Sequence, residues 1–355
     1  MKYAPLAAAL AGLFATTGFA HADTTNVTVY GIAQAAVSVV DDGVTRKTIV
    51  EDTGSRIGFK GNEALGNGLN AFFKIESKVA LDTGASAGFA NREGWVGLQG
   101  DFGTVKLGRG KTYFDLAQEN FDGFNGNSTM INSLLIDGAY YRASNNIAYE
   151  TPDMNGFVAK LQYGDMEAKN DTTGVSPSAI IGSAEYNNGP FQIVGAFESQ
   201  KDLALAVADG TKATVKGNKI NNYLLGAGYT IPNAGTNFKL AYRQSNFKNG
   251  AVKADRDTWI GVVTQPIGNG NVRFGYTTLG DVDSNAGTIS NSGGSYWAIG
   301  GDYALSKRTI VYTEFTRASN DDNLAATGSV LETSAGQAAG HRSNSAWTTG
   351  LIHLF

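Results

Sequence analysis

The sequence predicts an all-β protein, a 16-stranded antiparallel transmembrane β-barrel. Three observations predict it. Residue character alternates with period two along the whole chain. Short and long connections take strict turns between the alternating segments. The chain also ends on a strand, Trp347-Thr-Thr-Gly-Leu-Ile-His-Leu-Phe355, that stops on a bare aromatic. Trp347, Thr349, Leu351, His353 and Phe355 lie two apart, so a strand puts them on one face. With no polar tail beyond it, that end needs burial in protein or in lipid.

The alternation can be followed in chain order. Val27, Val29, Gly31, Ala33, Ala35, Val37 and Val39 share one face of the first strand, with Tyr30, Gln34 and Ser38 on the other. Leu69, Ala71, Phe73 and Ile75 alternate with Asn70, Lys74, Glu76 and Lys78. Phe157, Leu161 and Tyr163, then Phe191 and Phe197, then Tyr223 and Tyr229, then Phe274, Tyr276 and Trp297 repeat the rule. Lys160, Gln192, Glu198, Lys239, Arg243 and Arg273 lie on the opposite faces. A soluble sandwich also alternates, so the connections decide. Seven short turns fall at 63–68, 100–103, 152–156, 188–190, 231–235, 266–270 and 305–308. Eight longer polar stretches lie between them, at 41–52, 82–88, 113–138, 168–178, 202–219, 248–257, 282–294 and 319–343. These connections join 16 strands of about ten residues, with short turns at one rim and long loops at the other. An even strand number brings both termini to the short-turn side. Closure removes sheet edges and satisfies every backbone polar group internally, as lipid demands.

The two ends set the compartment. Met1-Lys2-Tyr3 is a positive start, Ala4 to Ala20 is apolar and small, and Ala20-His-Ala22 reads A-x-A before Asp23. Residues 1–22 read as a secretory signal peptide and 23–355 as the barrel. The chain has no cysteine, so neither disulfides nor thiol chemistry enter. Its 46 glycines against 6 prolines exclude a proline-rich disordered chain. Beyond the signal segment no apolar run reaches the ~20 residues of a spanning helix. An exported, tyrosine- and glycine-rich chain of this kind belongs in the outer membrane of a Gram-negative bacterium.

Several motifs then carry a family resemblance. They are Arg56-Ile-Gly-Phe-Lys-Gly-Asn-Glu-Ala-Leu-Gly-Asn-Gly-Leu69, Asn91-Arg-Glu-Gly-Trp-Val-Gly-Leu98 and Phe102-Gly-Thr-Val-Lys-Leu-Gly-Arg109. Tyr141-Arg142 with Asn146, Tyr149 and Pro152, and the closing Gly350-Leu-Ile-His-Leu-Phe355, complete the set. In this order they resemble the general diffusion porins of neisserial and other beta-proteobacterial outer membranes, across residues 23–355. The resemblance implies a water-filled channel for ions and small hydrophilic solutes, a homotrimer and a third loop folded into the lumen. It implies contact with outer-membrane lipid, including lipopolysaccharide, and no cofactor. It also implies that the assembly machinery recognises the last strand through Leu351, His353 and Phe355. Two departures stand out. Gln34 occupies a place where such porins often carry an acid. Ile352 and Leu354 make the lumen side of the last strand apolar, so that side packs on something.

A diffusion pore takes its selectivity from charges at its narrowest section. Arg56, Arg92 and Arg142 are the candidates for a basic ladder. Arg56 shares a face with Lys60, and Arg142 with Ser144 and Asn146. Arg92 runs against parity, because its face continues into Val96 and Leu98, and it is assigned through the resemblance. The alternative is a set of rim arginines bound to lipid phosphate or solvent. The stretch 113–138 carries Asp115, Glu119 and Asp122. As an infolded third loop it would turn these acids toward the basic wall. Screening over ~8 Å confines such a transverse field to a constriction. As a surface loop, the same acids only solvate it. Lys60, Lys74, Glu76 and Lys78 belong to the pore wall, and the lumen's Lys74, Lys78, Lys160, Lys239, Arg243 and Arg273 against Glu76, Glu198 and Glu314 lean the pore weakly toward anions. Arg109 has the parity of Val105 and Leu107, and a lipid-facing arginine costs about 2–4 kcal/mol at mid-membrane. It therefore sits near a rim or under a neighbouring subunit, with Asp82 of the second loop as a candidate partner.

Other functions find little support. His341 and His353 are the only histidines past the signal segment, and neither has a triad partner or metal spacing. Gly108-Arg-Gly-Lys-Thr112 mimics a phosphate loop, but the required first glycine falls on Val105. A net charge of −4 with scattered Lys and Arg argues against nucleic acid. A substrate-specific channel and a non-conducting structural or adhesive barrel remain open.

Overall fold

The structure, a computed structural model, describes residues 26–85, 87–124, 142–165, 169–202, 204–206, 212–214, 216–324 and 343–355. The signal segment, Tyr141, His341 and the third loop beyond residue 124 lie outside them. In chain order the strands are β1 (Asn26–Asp41), β2 (Arg46–Asp52), β3 (Arg56–Gly66), β4 (Leu69–Lys78), β5 (Glu93–Gly100), β6 (Gly103–Lys111) and β7 (Arg142–Glu150). Then come β8 (Phe157–Asp165), β9 (Ser178–Asn188), β10 (Phe191–Lys201), β11 (Ala204–Ala206), β12 (Lys212–Thr214), β13 (Lys219–Thr230) and β14 (Asn237–Asn249). The last are β15 (Val252–Ile267), β16 (Gly270–Leu279), β17 (Val282–Ser284), β18 (Gly287–Ile289), β19 (Gly294–Ala304), β20 (Thr309–Asn320) and β21 (Ser343–Leu354). One helix, α1 (Tyr113–Glu119), follows β6.

These strands form a closed 16-stranded antiparallel barrel with a few extensions. β2 and β3 are successive parts of one barrel strand, since both pair with β1 on either side of a break at 53–55. β17 and β18 make a small hairpin on β15, and β11 pairs only with β12. The ring closes where β1 meets β21, from Ile32↔Leu354 to Asp41↔Ser345. Below that register Gly31 and Phe355 exchange both backbone bonds, at 3.0 and 3.1 Å. The ring of Phe355 lies across Gly31, where a Cβ would come within 2.3 Å of it.

Register and exposure sort the two faces. Val27, Val29, Leu225, Trp347 and Leu351 point outward and are exposed, while Gln34, Ser38, Leu224 and Ile352 point inward and are buried. The seven short turns lie where the sequence predicts them. Two of the predicted long loops differ. Residues 46–52 continue the pairing with β1, and β14 and β15 run on to Asn249↔Val252. Beyond the bilayer both faces of a strand are wet, so the alternation that marks a membrane strand vanishes while the hydrogen bonds continue. The apolar inner side of β21 is also accounted for. Ile352 packs with Ala36 and Tyr312, flanked by Ile32 and Ile310.

The outer belt is uneven. From β8 to β19 it is rich in exposed aromatics such as Tyr163, Phe197, Tyr223, Trp259 and Tyr303. Ring pairs brace it, with Phe191–Tyr229 at 4.9 Å and Tyr242–Trp259 at 5.0 Å between centroids. Interfacial aromatics of this kind mark a lipid-facing girdle. On β1–β6 the outward positions are mostly Val, Ile, Leu, Phe, Ala and Gly, together with Arg46, Thr48, Asp52, Glu63, Ser77 and Arg109, and include neither Tyr nor Trp.

Candidate pore constriction

The register of β1, β3, β4 and β5 brings four cations to one patch of the inner wall. Lys60 pairs with Lys74 and Gly58 with Glu76, so their side chains share the inward face. Glu76, 4% exposed, is the hub. Arg92 Nε donates to its Oε1 at 2.7 Å, Lys74 Nζ lies 3.8 Å from Oε2, and Arg56 Nε lies 3.9 Å from Oε1. The Tyr30 hydroxyl donates to Oε2 at 3.0 Å. Tyr30 fits because its neighbour is Gly58, where a Cβ would meet the ring at 2.3 Å. Lys60 Nζ stands 5.4 Å from the same ring's centroid, a cation–π contact. Lys74 also pairs with Glu93 at 2.7 Å. Arg56, Lys60, Lys74 and Arg92 thus face two carboxylates, leaving a cationic excess. Lys78 lies opposite Arg56 at the exposed end of β4. Arg92 precedes its strand and bends inward to Glu76, which strand parity alone could not give.

The third loop enters the barrel as α1. Thr112 caps the helix, its Oγ1 accepting from Asp115 N at 3.1 Å. Tyr113, Phe114, Ala117 and Phe121 are buried against Ile181, Val194 and Leu224 on the inner wall. Polar ties fix the docking. Gln162 Oε1 accepts from Tyr113 N at 3.1 Å, Arg243 Nη1 donates to Gln118 Oε1 at 3.0 Å, and Lys239 Nζ donates to the Asn120 carbonyl at 2.7 Å. Phe121 sits over Gly226, where a Cβ would fall 2.2 Å from the ring. This apolar inner patch has a signal in the sequence. Leu224 and Leu225 are apolar on opposite faces of β13, so the inward one needs a cover.

The loop acids differ from expectation. Asp115 does not face the lumen. Helical geometry turns it, with Gln118 three residues on, toward the packed side. It is 3% exposed, and Gln118 Nε2 donates to it at 2.9 Å. Burial, and then the charge of Glu119, push its carboxyl up to about 7, against the pull of Lys111 and Arg142. Glu119 pairs with Lys111. Asp122 accepts from Phe124 N at 3.0 Å, and burial, with Glu314 and Glu119 acting in the same sense, pushes it up to about 7. Beside it opens a cavity of about 400 Å³ lined by Asp122, Asn237, Lys239, Thr264 and Arg273.

Arg142 is not part of the Glu76 cluster. It lies opposite Lys111 at the root of the third loop, where its charge acts on Asp115. Its predicted parity with Ser144 and Asn146 fails, because a register shift against β6 and a positive φ of 54° at Asn145 interrupt the strand. Arg109 pairs with Gly94 and bonds within its own chain, to Asn91 O at 3.1 Å and Ser144 Oγ at 2.5 Å. Asp82 is exposed and accepts from Thr83 N at 2.8 Å. On β21, His353 Nδ1 lies 2.9 Å from Thr309 Oγ1, while Leu351 and Phe355 stay exposed on the outer face.

A closed barrel narrowed from within by its own third loop, with a charged wall and an aromatic outer belt, defines a water-filled membrane channel. The chain matches the Gram-negative porin family over residues 7–323 and belongs to that family. It is 28% identical over 353 residues to the major outer membrane protein P.IB of Neisseria lactamica, covering 93% of this chain and 94% of the relative. It is 27% identical over 299 residues to P.IA of Neisseria meningitidis serogroup C, covering 74% and 76%. Among solved structures, the anion-selective porin from Comamonas acidovorans superimposes with a TM-score of 0.77 at 28% identity, over 94% of this chain and all of that one. OmpT of Vibrio cholerae in its trimer form, at 16% identity and a TM-score of 0.72, shares the fold. The chain is an outer-membrane diffusion porin, and its family is one of channels rather than enzymes.

Proposed function

We propose that this porin passes small hydrophilic solutes with a preference for anions, set by the Arg56–Lys60–Lys74–Arg92 wall. The observation that carries this is the imbalance across the lumen. Four cations share Glu76 and Glu93. The loop acids opposing them are buried, paired or held near pH 7. The similarity to a porin described as anion-selective supports the same sign. Reversal potential in a KCl gradient across a planar bilayer tests it. The expected sign is that of chloride permeation, and a cation-selective reading overturns the proposal.

The working unit is a homotrimer joined along β1–β6. An outer face without tyrosine or tryptophan suits subunit contact better than a lipid interface, and its small residues allow close approach. Arg109 and the second loop with Asp82 lie at the rim of that arc. Residues 1–22 direct export and are removed. The assembly machinery reads the β21 face formed by Leu351, His353 and Phe355. Arg142 tunes the root of the third loop rather than the Glu76 patch.

A further inference from the structure

The recess beside Asp122 has a floor and a roof built from different parts of the chain. The floor is the inner face of β14, β15 and β16 near their short turns. Register sets Asn237 beside Thr264 and Thr264 beside Arg273. One same-face rung further into the barrel, Lys239 lies beside Val262. The roof is the segment that follows α1. Gly123 closes down on Val262, where a Cβ would come within 2.5 Å of Cγ1, and Phe124 lines the recess next to it.

Charges of both signs border this space, and they do not cancel in pairs. Arg273 is ion-paired with Asp302, which also accepts from Asn271 Nδ2 at 2.9 Å. Lys239 has no carboxylate at ion-pair distance among the described residues, and its Nζ donates to the Asn120 carbonyl. A carbonyl at a helix end offsets only part of a full charge. Asp122, on the roof, accepts from Phe124 N. Lys111 of β6 favours its ionised form, while Glu119 of α1 and Glu314 of β20 oppose it. Lys239 and Arg273 line the same recess from the floor.

A cation on the floor and a carboxylate on the roof suit a solute that carries both charges. A solute with only a carboxylate meets the opposing charge of Asp122, and one with only an ammonium meets that of Lys239. Strands lie about 4.8 Å apart, so the floor from Lys239 to Arg273 spans about 10 Å. The volume of about 400 Å³ falls within the range of small-molecule sites, ~300–1,000 Å³. Phe124 and Val262 give it one apolar side. We propose that this recess is a binding subsite for small zwitterions, amino acids with an apolar side chain, whose carboxylate meets Lys239 and Thr264 and whose ammonium meets Asp122. The subsite rests on the chain being an open channel and not on the sign of its ion preference.

The test uses purified porin in planar bilayers and three probes on one skeleton. These are phenylalanine, phenylpropanoate, which lacks the ammonium, and phenethylamine, which lacks the carboxylate. Each is titrated while the open-channel current is recorded, and each variant is normalised to its own probe-free current. Phenylalanine should reduce the current saturably, with an affinity about tenfold above that of either analogue. Asp122→Asn should bring phenylalanine down to the level of phenylpropanoate and leave phenylpropanoate no weaker. Lys239→Gln should weaken phenylalanine and phenylpropanoate but not phenethylamine, and Lys239→Arg should retain both. Phenylalanine affinity should rise between about pH 6 and about pH 8 as Asp122 ionises, while phenylpropanoate affinity falls. Equal affinities for the three probes, or a reduction that does not saturate, overturn the proposal. So does a phenylalanine affinity unchanged in both Asp122→Asn and Lys239→Gln. Reversal potentials recorded in the same bilayers report separately on the anion preference.

Discussion

Glu76 is the hub of the charged inner-wall patch at the scale of single residues. Three cations and a phenol turn toward it, so it both orders the wall and cancels part of its charge. Replacing it by glutamine keeps the shape and removes one negative charge. Glu76→Gln should raise the chloride-to-potassium permeability ratio in bilayers. It should also lower stability by about 1–2 kcal/mol, discounted because its partners reach lumen water. Parity along β3 was enough to read Arg56 and Lys60 as inward. The hub was not legible, because Glu76, Tyr30 and Arg92 meet across three hairpins and no local pattern joins them. Asp115 was misread for a related reason: the sequence shows an acid in a loop, and only the docked helix buries it.

At the scale of the element, α1 packs against the inner wall of the barrel. Its seat is Phe121 on Gly226, with Leu224 and Ile181 beneath. Gly226→Val should displace that ring, at a cost of about 1–3 kcal/mol in overpacking. Single-channel records should then show altered conductance and more closures, with an intact barrel by circular dichroism. The helix also responds to pH. Asp115 and Asp122 rise from 3.8 to about 7 on folding, so the folded state binds more protons than the unfolded chain between those values. Their contribution to stability is full below pH ~4 and is lost as pH rises through about 7. The same ionisation adds negative charge to α1 and the segment after it inside the barrel. Reversal potentials from pH 5.5 to 8.5, a range chosen to bracket the values near 7, should show anion preference falling. The strands themselves were legible through alternation wherever one face meets lipid. Residues 46–52 and the tips of β14 and β15 were not, since water on both faces erases the pattern there.

At the scale of the whole molecule, closure and the uneven belt matter most. Short turns alternating with long loops were enough to count the barrel strands from sequence. The division of the outer surface into an aromatic arc and a β1–β6 arc was not, because it depends on which strands end up side by side. Ala35→Trp on the β1–β6 arc should lower the temperature at which trimers dissociate on unheated gels. Ala184→Trp, on the outward face of β9 within the aromatic arc, should leave it unchanged. Equal effects at the two positions would place the subunit contact elsewhere.

The junction of β1 with β21 also has a consequence in time. Ser38 and Thr348 bond at 2.8 Å although 310 residues separate them in the chain. The bonds between Gly31 and Phe355 span still more of the chain, and closing so long a loop is entropically unfavourable and slow. Until the final residues arrive, both edges of the sheet stand unpaired and open to other chains. The pairing of β1 with β21 removes both open edges at once. Barrel closure should therefore be slow compared with the pairing of neighbouring hairpins, which stopped-flow refolding into detergent micelles would show as a late phase.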